Sequence, residues 1–191
     1  ALKFRVCFAL PLLVAVSLMA LAGTSQAGEI LDKIKATGTV NIGYRESSLP
    51  YSLKTNNDEA IGYSIDVCKE IIRDLEKAIG KPLETKKQTV TAAARMALIK
   101  NKSIDLECAG TTKTEDRAEV ADFAIHNADP ITIAVQSSNN TITKTEDLKG
   151  LKAAVVTGIT GEKVLRIFNA KQNYNMEITP AKDYPMAFIL L

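Results

Sequence analysis

Residues 64–89 read SIDVCKEIIRDLEKAIGKPLETKKQT, and this stretch decides the fold. Cys68, Ile71, Ile72, Leu75 and Ile79 recur at helical spacing, which predicts a helix over Ser64–Ile79 with one apolar stripe. Gly80, with Pro82 just beyond, stops it: glycine accepts the left-handed turn that ends a helix, and proline cannot continue one. Leu83–Thr89 then reads as a strand.

The same alternation extends in both directions. Upstream lie a short helix over Ile30–Ala36, a strand over Val40–Tyr44, and two extended pieces separated by the polar turn Asn56, Asn57, Asp58. Downstream lie a helix over Ala92–Lys100, a strand over Ile104–Cys108 and a short acidic helix start at Thr114–Asp116. Strands alternating with helices predict an α/β fold with a mostly parallel sheet. Ile131–Gln136 reads as a connecting strand. A second run then follows, with a helix at Thr145–Leu148, a strand at Lys152–Thr157, a helix at Glu162–Ala170 and a strand at Met176–Thr179. Two α/β lobes are expected, over 28–130 and 131–191, the second unfinished.

The amino end has another logic. Lys3 and Arg5 precede an apolar run from Val6 to Ala22, and Ser25-Gln26-Ala27 offers a small-x-small cleavage site. Residues 1–27 therefore read as a secretory signal peptide leaving Gly28 as the new terminus, an uncleaved membrane anchor being the alternative. This segment carries two of the 24 basic and none of the 22 acidic residues, so the remainder has 22 of each sign. A balanced charge gives no support to nucleic-acid or membrane-surface binding. Export places Cys68 and Cys108 in an oxidising compartment. Cys68 reads as a buried thiol of the helix stripe; a bridge to Cys108, or from Cys108 to a cysteine beyond residue 191, remains the alternative. His126 is the single histidine and has no Cys/His/carboxylate cluster in sequence around it, so neither a metal site nor a histidine-based triad is expected.

Ligands of open α/β sheets bind beyond the carboxyl ends of the strands. Arg45, Glu46 and Ser47 follow the first strand, and Gly110, Thr111 and Thr112 follow the strand ending at Cys108, with Arg117 a short turn later. Gly158-Ile159-Thr160-Gly161 joins a strand to a helix, offering N–H groups and a positive helix end to an anion. Each cluster also has a plainer reading: Arg45 paired with Glu46 in solvent, Arg117 paired with Asp116 or Glu119, the glycines a tight turn. Gly158–Lys163 is too short for a phosphate loop, and Val164 stands where the magnesium-binding Ser or Thr belongs.

These residues resemble the bacterial extracellular solute-binding proteins of the polar amino-acid type, most closely those for glutamate and aspartate. The likeness runs from Leu31-Asp32-Lys33-Ile34 to Ala181-Lys182-Asp183. It is specific at Arg45–Ser48, at Asp105–Cys108 with Thr111 and Thr112, and at Asp147–Gly150. The resemblance implies a two-lobed periplasmic-binding-protein type II fold, with an amino acid held between lobes joined by two crossing strands. It implies that Arg117 takes the ligand α-carboxylate with help from the Thr112 hydroxyl and N–H groups near Thr160, and that Arg45 and Arg95 receive an acidic side chain. Gly110 and Ala92 stand where those proteins have serines, and Tyr184 where they have a histidine, so polar contacts are fewer. Residue 191 falls before the return to the first lobe, where the acidic partner of the ligand ammonium is expected. The implied protein is a monomeric periplasmic component of an ABC importer. It delivers an amino acid to a membrane permease, needs no cofactor and catalyses nothing. A dehydratase-like enzyme on the same scaffold, with Glu46 or Glu107 as general acid, and a sensory ligand-binding domain are the alternatives.

Overall fold

The computed structural model describes residues 26–191. The leader read over 1–27 lies outside the described residues except for its last two positions, which open helix α1 (Gln26–Thr37). Strand β1 (Thr39–Tyr44) is central to a parallel sheet, paired on one side with β5 (Glu84–Thr89) and on the other with β6 (Leu106–Glu107). Val40, Ile42 and Tyr44 of β1 are buried, as expected of a strand with neighbours on both sides. Gly43 between them leaves room for Ile104, whose Cδ1 would lie 2.5 Å from a Cβ there and would have to shift to admit one.

Helix α2 (Tyr63–Ile79) lays Ile65, Cys68 and Ile72 on this sheet, packing with Ile34, Ala60 and Cys108 to form the core. It ends as its sequence demands, with Gly80 in the left-handed conformation and its N–H bonded to the carbonyl of Glu76. The turn at Asn56–Asp58 joins β3 (Ser52–Lys54) to β4 (Ala60–Ile61), which with β2 (Ser47–Ser48) form a small antiparallel sheet. A second parallel pair, β7 (Lys152–Val156) and β8 (Glu177–Ala181), is connected by helix α5 (Thr160–Gln172). The short helices are α3 (Arg95–Lys100), α4 (Glu115–Ala118) and α6 (Tyr184–Ile189).

Three expectations change. Cys68 is not a free thiol: it is bridged to Cys108, because packing α2 on the sheet brings the two Cα atoms to 6.1 Å, within disulfide reach. Ile131–Gln136 is not a paired strand. No described strand lies alongside it to complete a ladder, and its residues are exposed. The helix expected from Ala92 starts only at Arg95, since Thr91 holds the preceding turn through its Oγ, which accepts from the Ala94 N–H at 3.1 Å.

The bridge spans 40 residues of sequence and fastens α2 to the end of β6. Reduction, or Cys108→Ala, is expected to cost about 2–4 kcal/mol, a fall of roughly 10 °C in Tm. Circular dichroism melts with and without reductant measure this; coincident melts would show that the bridge contributes nothing.

Candidate ligand-binding site

Arg45 directly follows β1 and is only 3% exposed. Buried Ser52 fixes its backbone, accepting from the Arg45 N–H at 2.8 Å while donating to the Arg45 carbonyl. The guanidinium donates to Ser48 Oγ at 3.4 Å and sits over the Tyr184 ring, with Cζ 5.1 Å from the centroid. Arg95 opens α3 and is 1% exposed. Its Nη1 lies 3.6 Å from Glu107 Oε1 and at the limit of bonding, 3.5 Å, from the Gly110 carbonyl. Its buried Nε has no hydrogen-bond partner. Desolvation lowers the Arg95 pKa below the ordinary arginine value; Glu107 opposes that shift, and the positive charges of Arg117 and Arg45 add to it.

Arg117, on α4, reaches across to the second sheet. It donates through Nη1 to the Thr112 carbonyl at 2.9 Å and to Thr160 Oγ at 3.2 Å, and through Nη2 to the Gly158 carbonyl at 3.1 Å. Gly158, with φ +83°, turns the chain from β7 into α5. Its N–H is already taken by Glu162 Oε2 at 2.8 Å, which, with Arg166, holds the Glu162 carboxyl below its ordinary pKa. The turn read as a set of open N–H groups is thus partly filled by its own helix.

The strand ends of the two sheets face each other closely. Lys163 of α5 pairs with Asp116 of α4 at 2.9 Å, and a Cβ added at Gly158 would lie 2.6 Å from both N and Cα of Ala93. Arg45, Arg95, Gly110, Thr112, Arg117, Thr160 and Tyr184 are therefore brought together at one junction. Two meet it differently from the residue-by-residue expectation: Thr112 engages Arg117 through its carbonyl, and Tyr184 meets Arg45 through its ring face. The plainer pairings do not form. Glu46 pairs with Lys54 at 3.7 Å, and Asp116 with Lys163. Tyr51 was not foreseen. Its ring fills the space beside Gly110, where a Cβ would be 2.8 Å from Tyr51 Cδ2.

The model of the bacterial extracellular solute-binding proteins, family 3, matches residues 40–171. The chain belongs to that family. It is 34% identical over 163 residues to the L-glutamate/L-aspartate-binding protein of Pseudomonas aeruginosa, covering 84% of this chain and 54% of the relative. It is 36% identical over 169 residues to the glutamate/aspartate import solute-binding protein of Escherichia coli K12, covering 85% and 54%. The chain thus spans about half the length of the curated relatives it matches. Among solved structures it is similar to holo ArgBP from T. maritima, with a TM-score of 0.67 at 26% identity over 84% of this chain and 67% of that one. An ancestral arginine-binding protein bound to arginine gives 0.65 at 26% identity over 81% and 65%. The α/β architecture is that of the type II periplasmic binding proteins. Among the described residues no helix is long and apolar enough to cross a membrane.

Proposed function

We propose that this chain is part of the periplasmic solute-binding component of an amino-acid ABC importer, and that the solute is glutamate or aspartate, held between lobes at 28–130 and 131–191. The observation that carries the reading is the Arg95 guanidinium: almost fully buried, with Nε unpartnered and only one marginal hydrogen bond. A buried cation left this poorly satisfied is costly, and a bound carboxylate supplies the missing acceptors. Arg45 and Arg117 lie close enough to add their charges.

The family's members differ in ligand. The L-cystine-binding protein TcyJ of Escherichia coli K12 is 28% identical, and ArgBP is among the structural neighbours. Charge separates the choices. An arginine ligand brings a further guanidinium toward Arg45 and Arg95, whereas an acidic side chain neutralises them. In this reading the protein is monomeric, captures by lobe closure and hands its ligand to a membrane permease, without catalysis, cofactor or nucleic acid.

Isothermal titration calorimetry of the full-length protein tests it. Glutamate or aspartate is expected to bind far more tightly than glutamine or arginine. Arg45→Ala and Arg95→Ala are expected to weaken the acidic ligands at least about tenfold more than neutral ones, a charged hydrogen bond contributing about 1.5–3 kcal/mol. Equal losses for both classes would mean that the substrate class is wrong.

A further inference from the structure

Glu107 belongs to the same junction but has no part in the reading above. It ends β6 and its side chain is only 12% exposed, with Oε1 3.6 Å from Arg95 Nη1. That contact is close enough for the charges to interact, yet it is no hydrogen bond: buried Glu107 Oε1 and buried Arg95 Nε both remain without partners. We propose that Glu107 is the built-in counter-charge of Arg95, compensating its buried cation without occupying its donors, and so setting how strongly the cleft discriminates acidic from neutral ligands.

The geometry is what such a role requires. An isolated buried guanidinium is costly, and Glu107 offsets that cost. A carboxylate gripping Arg95 in a bidentate pair would use the N–H groups an incoming anion needs. Instead Nε keeps no partner, and Nη1 makes only its marginal bond to the Gly110 carbonyl. With Arg45 and Arg117 near enough to act on Arg95, the three guanidinium groups and one carboxylate leave a net positive charge, which favours an acidic amino acid over a neutral one. Once such a ligand arrives, Glu107 repels its side-chain carboxylate, while a neutral side chain feels no such charge. Glu107 is thus a positioning and charge-setting residue rather than a ligand contact. The inference rests on the acidic-ligand reading.

Two measurements on the full-length protein test it. Without ligand, Glu107→Gln and Arg95→Met should each lower Tm, and the double variant should melt higher than the sum of the two losses allows; additive losses overturn the pairing. With ligand, calorimetry of Glu107→Gln should raise the ratio of glutamate to glutamine affinity at least about tenfold, since removing a like charge favours the anion selectively. A purely structural role would shift both affinities together. If wild type prefers glutamate but the ratio in Glu107→Gln is unchanged or falls, this proposal alone fails. If wild type binds neither amino acid, the acidic-ligand reading fails and takes the proposal with it.

Discussion

Arg117→Ala is expected to remove amino-acid binding of every kind, a loss of at least about a hundredfold, while leaving the fold in place. The guanidinium makes three polar bonds, one to the Thr112 carbonyl in the loop after β6 and two to the Gly158–Thr160 turn, and so ties that loop to the turn. It can bridge because its planar fork holds several donors in fixed directions, which suits it equally to both oxygens of a ligand α-carboxylate. Truncation removes at least two charged hydrogen bonds at about 1.5–3 kcal/mol each, hence the hundredfold bound. Acidic and neutral amino acids share the α-carboxylate, so both should be lost together, unlike the selective loss expected at Arg45. Stability should change little, because α4 is a single turn whose residues are not buried. Calorimetry and a melt on the same preparation check both statements; unchanged affinity in a folded Arg117→Ala protein would reject the role.

The fold was largely legible because its signals are local. The stripe of α2, its Gly80 stop and the alternating βα order each follow from residues within a few positions of one another. What was not legible depends on partners distant in sequence. Ile131–Gln136 has a strand's pattern, but a ladder needs a neighbour, and no described strand provides one. Cys68 reads as an apolar member of its helix, and only the packing of α2 brings Cys108, at a separation of 40, within reach. At the junction, the strand-end rule found Arg45 and Arg117 because their place in the chain fixes their place in the fold, whereas Arg95, at the start of α3, was implied only by the family resemblance. Tyr51 beside Gly110 was invisible for the opposite reason, since a glycine does not announce what occupies its missing side chain. Two signals were present and unused: Glu162 stands four residues after Gly158, where it can accept that N–H, and Asp183 before Tyr184-Pro185 is a helix cap that accepts from Met186 N–H at 2.9 Å.

Gly158→Ala should open the junction. The position is restricted twice over: its φ of +83° is one that side-chain-bearing residues rarely adopt, and an added Cβ would stand 2.6 Å from backbone atoms of Ala93. The first restriction acts within the second lobe and costs about 1–2 kcal/mol wherever the lobes lie. The second exists only while the β7–α5 turn rests on the Ala92–Ala93 turn, and backbone cannot step aside as a flexible side chain can. Moving the two sheets apart relieves that clash, but it also separates Arg117 from Gly158 and Thr160 and Lys163 from Asp116. The variant should therefore show a modest fall in Tm, a larger radius of gyration by small-angle X-ray scattering, and ligand affinity weakened at least about tenfold, because closure becomes unfavourable. Ala93→Gly would leave those backbone atoms in place and should not rescue it. Lengthened scattering with lost affinity ties capture to the approach of the two sheets; a Gly158→Ala protein that stays compact and binds normally would show that this contact is dispensable for holding the solute.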